Sequence, residues 1–237
     1  MIWQTGGITT RWYGRTTNRF LFLLTALVVL IFFYPFVEEF DQNGYIFPVL
    51  MNIILFLALY AVIDRNRHFR IAFILLLPAI CMLWARAIFG MRPEVIIGSA
   101  LTSALFFSVI IAIIVHRILT TRHVNRDTIY GAVCVYLLIG LLWASMYATA
   151  AEMSATAFSY TPAIMPAGEH LTFGNLLYFS FITLTTTGYG DIIPTMRVTQ
   201  SLAMVEAITG VIFLAVFVSR LVGIVGWNTA SEDEERK

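Results

Sequence analysis

The feature that most restricts how this chain can fold is a succession of long apolar runs: Phe20–Val37, Tyr45–Ile63, Ile71–Phe89, Val95–Val115, Ile129–Ala151 and Val198–Trp227. A bilayer hydrocarbon core about 30 Å thick is crossed by about 20 mostly apolar residues in helical form. The six runs are of that order and predict six membrane-spanning helices. A seventh run, Phe173–Leu184, lies between the last two and is too short to cross. Such a segment is tolerated at membrane depth only when buried in protein or lining water, so it is expected to be re-entrant. Composition agrees: 59% of residues are hydrophobic and 12% charged, against about 25% charged in a soluble domain. Disorder is excluded as well, because it needs low hydrophobicity and high charge. The fold class is therefore an all-α integral membrane protein. A signal-peptide reading of the first run fails on its length and on the missing small-residue cleavage site.

The basic residues set the orientation. Arg11, Arg15 and Arg19 precede the first run; Arg65, Arg67 and Arg70 separate the second from the third; Arg117, Arg122 and Arg126 separate the fourth from the fifth. The first connection carries Glu38, Glu39 and Asp41 and no Lys or Arg. The positive-inside rule then places both termini in the cytoplasm and turns 152–171 and the short run outward. With Pro162 and Pro166, that outer segment is expected to form a turret. A net charge of +1 leaves no basic surplus for nucleic acid. Cys81 and Cys134 sit inside apolar runs and suggest neither a disulfide nor a metal site. The four histidines are dispersed, and no paired carboxylates, nucleophile–base pair or phosphate loop appears. The chain is not expected to be an enzyme.

The chemistry is concentrated after the short run, in Thr185-Thr186-Thr187-Gly188-Tyr189-Gly190-Asp191, followed by Pro194. A Gly-Tyr-Gly alone is weak evidence, since turns contain it often. Here it follows a short helix, faces outward and precedes a long apolar helix. This arrangement resembles the selectivity filter of potassium channels. The resemblance extends from about Ile129 to Val225. The last run, with Ser201-Leu202-Ala203-Met204-Val205-Glu206-Ala207, Gly210 and Arg220-Leu221-Val222-Gly223, is similar to that of prokaryotic six-transmembrane potassium channels.

The resemblance implies a cytoplasmic N-terminus (1–19), a peripheral four-helix domain like a voltage sensor (20–115), a linker (116–128), a pore domain (129–227) and an acidic tail (228–237). It implies passive potassium conduction across a cell membrane with no cofactor, potassium being the permeant ion. The Thr186 hydroxyl would form the innermost ion site, and the carbonyls of Thr187, Gly188 and Tyr189 those above it, with Gly190 completing the strand. The physical demand is independent of the resemblance. Oxygen dipoles must replace the ion's water, which requires successive carbonyls to point one way through unusual alternating dihedrals. Gly188 and Gly190 can supply positive φ without strain. One chain has one such loop, and one loop cannot encircle an ion, so a homotetramer is expected. A helix over Phe173–Thr186, with Thr172 as its candidate N-cap, would aim a carbonyl end of about half a negative charge at the pore axis.

Departures from the family pattern mark further residues. Thr187 stands where Val is common, and its hydroxyl needs a partner. Ile182 stands where some relatives place a Glu that pairs with the filter Asp, so Tyr178 is expected to hydrogen-bond Asp191 instead. Glu206 is a lone carboxylate in the last run, costly if ionised. Helical spacing of about 100° per residue turns it away from the face of Val211 and Leu214. It is either a support behind the filter, held neutral, or a simple interhelical hydrogen bond. Gly210 is either a hinge or a point of close helix packing. Leu214, Phe217, Val218 and Leu221 are expected along the pore face, where an apolar constriction can close by dewetting. The fourth run carries no charge, and Arg86 is the one basic residue in the first four, placed to snorkel or pair with Glu38 or Glu39. Each charge in the field is worth about 2.3 kcal/mol per 100 mV, so at most weak voltage dependence is expected. A weakly selective cation channel and a non-conducting membrane sensor or subunit are the alternatives.

Overall fold

A computed structural model describes residues 19–38, 46–63, 66–89, 92–120, 126–161 and 171–235. Seven helices carry the apolar runs: α1 (Arg19–Glu38), α2 (Ile46–Ala61), α3 (Asn66–Phe89), α4 (Pro93–Thr120), α5 (Arg126–Met153), α6 (Phe173–Leu184) and α7 (Arg197–Glu235). By length and composition α4, α5 and the Arg197–Arg220 part of α7 are fit to cross a membrane; shorter apolar stretches occupy α1, α2, α3 and α6.

Most helices begin earlier or end later than their apolar runs, because polar residues at the ends complete the helical hydrogen bonding. Pro93 heads α4, where the N–H it lacks would have no intrahelical partner, and the Arg92 carbonyl receives the Val95 and Ile96 amides. At the other end α4 continues to Thr120, and Asp127 lies in the first turn of α5, where the helix dipole favours an acid. Arg117 of α4 lies 4.0 Å from that carboxylate and over the Phe20 ring of α1. The expected linker 116–128 is thereby shortened, since α4 ends at Thr120 and α5 starts at Arg126. Similarly, α7 passes unbroken through the expected boundary at Trp227 to Glu235. The side chain of Arg86, with its expected partners Glu38 and Glu39, lies outside the described residues.

Two of the four peripheral helices pack on the same chain's α5: α4 lies along it and holds α3, and α1 joins it while also holding α2. Small buried residues on both helices permit the close approach, Ser99, Ala100, Ser103 and Ala104 on α4 and Ala144, Ser145 and Ala148 on α5. Two of the hydroxyls are satisfied within their own helices, Ser99 donating to the Ile96 carbonyl and Ser145 to that of Leu141. The peripheral helices also reach α6. Tyr34 of α1, Phe47 of α2 and Phe173 at the head of α6 meet edge to face, their ring centroids 4.9–6.0 Å apart.

Among the described residues, one short sheet interrupts the helical plan. β1 (Phe158–Tyr160) pairs antiparallel with β2 (Ile192–Pro194), in the register Phe158↔Pro194, Ser159↔Ile193 and Tyr160↔Ile192. The start of the outer segment thus folds back as a strap on the residues after the glycine motif. Pro162, Pro166 and the expected turret around them lie outside the described residues.

Gly140 sets the spacing between α5 and α6. A Cβ there would sit 2.7 Å from ring carbons of Phe181. Gly140→Ala is expected to cost about 1–3 kcal/mol through overpacking, read as a lower thermal unfolding midpoint in detergent. Adding Phe181→Leu should recover most of the loss, and equal midpoints for Gly140→Ala and the unsubstituted protein would refute the contact.

Candidate functional site

The site is built on α6 and the loop that follows it. Thr172 has extended backbone, and its hydroxyl accepts the Asn175 amide at 3.3 Å, an N-cap that holds one otherwise orphaned donor. The helix ends at Leu184, two residues before the expected Thr186. The cause is local. Both the Thr185 amide and the Thr185 hydroxyl donate to the Phe181 carbonyl, at 3.0 and 2.7 Å, and Thr186 turns to φ +57°.

From Thr186 onward the backbone alternates. Thr186, Gly188 and Gly190 have φ of +57°, +55° and +78°, while Thr187 and Tyr189 between them do not enter the left-handed region. At Gly188 and Gly190 an added Cβ would meet nothing within 4 Å. Glycine is therefore favoured there for its dihedral angle and not for space. Thr186 has no such licence: a β-branched residue in this region is strained by about 1–3 kcal/mol. The amides of Thr187 and Gly188 converge on one acceptor, the Ile182 carbonyl, at 2.8 and 3.2 Å, and the Thr186 amide goes to Thr183 at 2.9 Å. The N–H side of the loop is thus turned back onto α6, and all of 185–190 is exposed in the single chain.

The flanks are held by side chains. Thr187 and Thr185 hydroxyls lie 3.0 Å apart, which gives Thr187 the partner it needs. Tyr178 donates to Asp191 Oδ2 at 2.5 Å, and Asp191 Oδ1 receives the Ile192 amide at 2.9 Å. The strap adds to this: the Thr161 amide donates to the Asp191 carbonyl, the Thr195 hydroxyl to that of Thr156, and the buried Thr199 hydroxyl to that of Ala157.

Behind α6 lies Glu206 of α7, fully buried. Its Oε2 receives the Tyr147 hydroxyl of α5 at 2.5 Å, and its Oε1 lies 2.5 Å from the Ser180 hydroxyl of α6. Ser180 also reaches the Gly140 carbonyl at 2.8 Å. Sequence reasoning passed over Ser180 and Tyr147. The available signal was a serine in the middle of a short apolar helix, which must find a partner when buried. One turn further along α7, Gly210 is helical, and a Cβ there would stand 2.1 Å from the Leu184 carbonyl oxygen. That carbonyl also receives the Tyr136 hydroxyl at 3.4 Å. Of the two readings of Gly210, the close approach is the one with a contact to explain it.

Val211, Leu214 and Val218 are all exposed in the single chain. Phe217 departs from expectation. It is half-buried, stacked on Phe213, and turns into a cavity of about 310 Å³ between α4, α5 and α7. Its flat ring finds more contact there than on the exposed face. The Leu221 side chain lies outside the described residues. Arg220, at the end of the same cavity, donates to the Leu119 carbonyl of α4 at 2.7 Å. Among the described residues, no group of three His, Cys, Asp or Glu side chains is placed to hold a metal.

Tyr178→Phe removes the hydrogen bond to Asp191. Bonds to charged groups contribute about 1.5–3 kcal/mol, and at this partly exposed site the lower end applies, so amide exchange at Gly190 and Ile192 should quicken about tenfold. Unchanged exchange would show that Asp191 is held by its neighbours alone.

Residues 132–226, from α5 through the loop and into α7, match the family model described as "Ion channel". A 53-residue stretch, 22% of the chain, is 43% identical to two-pore potassium channel 4 of Arabidopsis thaliana. Over 87 residues, 37% of the chain, it is 34% identical to two pore potassium channel a of Oryza sativa subsp. japonica. The chain spans about a fifth of the length of each relative, 19% and 21%. The portion similar to ion channels is the portion that carries the site.

Proposed function

We propose that this chain is one subunit of a homotetrameric, potassium-selective channel that conducts passively through a ring of main-chain oxygens. The observation that carries the reading is the alternation of left-handed φ at Thr186, Gly188 and Gly190 with amides of the same loop tied back to α6. When N–H groups are committed to one side, the carbonyls are left for the other. A row of such carbonyls replaces the hydration shell of a potassium ion. The Thr186 hydroxyl supplies the innermost site, the carbonyls of Thr187, Gly188 and Tyr189 the sites above, and Gly190 the outer end.

A single loop offers one side of a coordination shell, so four copies around an axis are needed. The exposure of 185–190 and of Val211, Leu214 and Val218 in the lone chain supports that arrangement. The carbonyl end of α6 then favours a cation waiting below the filter, and the three α7 side chains line the cavity, where an apolar constriction can close by dewetting. The names of the two plant relatives support potassium as the ion. Six spans with both termini cytoplasmic fit the distribution of arginines in a cell membrane. The pairing of Thr187 with Thr185 and of Asp191 with Tyr178 supports a selective filter over a loosened, weakly selective one.

The protein reconstituted in liposomes should pass potassium in clear preference to sodium and be blocked by barium. Gly188→Ala should sharply reduce the flux, because a second L side chain at positive φ adds strain to a loop already strained at Thr186. Equal sodium and potassium flux, or none, would overturn the reading. Across voltage the conductance should change only shallowly, since residues 95–115 of α4 carry no charge.

A further inference from the structure

Four oxygen-bearing groups meet inside the bundle where α5, α6 and α7 converge: the Tyr147 hydroxyl, the Glu206 carboxyl, the Ser180 hydroxyl and the Gly140 carbonyl. They make three short contacts, 2.5 Å from Tyr147 to Oε2, 2.5 Å from Oε1 to Ser180, and 2.8 Å from Ser180 to Gly140. Each contact needs one proton. Tyr147 owns one and Ser180 owns one, while a main-chain carbonyl only accepts. The Gly140 contact therefore consumes the serine's proton, and the contact between Ser180 and Oε1 remains to be filled. With an ionised carboxylate, one of the two serine contacts would press lone pair against lone pair.

We propose that Glu206 is a neutral carboxylic acid that donates its own proton to Ser180, completing a one-way chain Tyr147→Glu206→Ser180→Gly140 that fastens α6 to both α5 and α7. The surroundings agree with an uncharged group. Glu206 is fully buried, and among the described residues no basic side chain is paired with it. The groups that face it are Tyr147 and the more distant Tyr136 from α5 and Ser180 from α6. A buried charge without a cation or a full set of donors is the arrangement that proteins avoid. Glu206 is thus a positioning residue: it acts on the filter through α6 and does not touch the ion. In that functional consequence the proposal rests on the channel reading above; the proton assignment does not.

The wiring separates an acid from a carboxylate. Glutamine reproduces it, with its amide N–H donating to Ser180 and its carbonyl accepting from Tyr147. Aspartate falls one methylene short, and alanine leaves the Tyr147 hydroxyl buried without a partner.

The test is infrared spectroscopy of the full-length purified protein at neutral pH, paired with potassium flux in liposomes. The carbonyl stretch of a protonated carboxylic acid should be present, vanish in Glu206→Gln, and move to higher frequency in Tyr147→Phe, which frees Oε2 from its donor. Flux should persist in Glu206→Gln and fall at least about tenfold in Glu206→Ala and Ser180→Ala, the loss of one buried hydrogen bond or more. A spectrum with no Glu206-dependent acid band overturns the proposal, as does a dead Glu206→Gln beside an active Ser180→Ala. The acid band in a protein that passes no potassium upholds the proton assignment and overturns the channel reading.

Discussion

The Ile182 carbonyl, which takes two amides from the loop that follows its own helix, is the interaction on which the site depends. Backbone N–H groups at membrane depth cannot turn to water or lipid, and each must find a protein acceptor. A loop that sent its amides and carbonyls alternately to either side would satisfy neither requirement. By giving its first amides to the end of α6, this loop settles those donors locally. The alternating φ angles follow from that arrangement, and so does the strain at Thr186. A β-branched residue enters the left-handed region because the amide pattern on both sides of it leaves no other geometry.

α6 must stay where it is for that pattern to survive, and it is held from three directions. At its head Phe173 is wedged between Tyr34 and Phe47 of the peripheral helices. At its middle Ser180 is bonded to α5 and α7. At its foot the Leu184 carbonyl rests against Gly210 and is met by Tyr136. The contacts differ in kind. The aromatic cluster can slide by fractions of an ångström, whereas a buried hydrogen bond and a carbonyl set against a glycine have little tolerance. The rigid contacts lie nearest the loop.

How much of this the sequence could show depended on the range of the interaction. The helices were legible because the bilayer imposes length and apolarity on every residue of a span. The Thr172 cap and the Tyr178–Asp191 bond were also legible, the first a contact within one turn, the second suggested by a missing acid at Ile182. Gly188 and Gly190 were readable because glycine is selected by its own dihedral freedom. Thr186 was not, since its positive φ is imposed by partners and runs against its type. Ser180 and Tyr147 were missed because hydroxyls within apolar helices carry no period of their own, and their meaning appears only once three helices are superposed. Phe217 failed through the same limitation. Spacing assigns a face, but α7 has two apolar faces and only packing decides which of them a flat ring enters. The strand pair escaped notice because three residues on either side of a long loop give no alternation to count.

The peripheral helices raise a last mechanical point. Residues 95–115 of α4 carry no charge, yet the end of that helix is bonded to α7. Arg220 of α7 holds the Leu119 carbonyl near the end of α4, and carbonyls at a helix C-terminus carry the negative end of its dipole. The bond therefore links a cation to a partial negative charge at an exposed edge of the two helices. The same two helices enclose the cavity into which Phe213 and Phe217 turn. A displacement of α4 along its axis must either break the Arg220 bond or carry α7 with it, and the short step from Thr120 to Arg126 ties α5 to the same movement. α4 and α7 are thus linked through the walls of one cavity and one hydrogen bond.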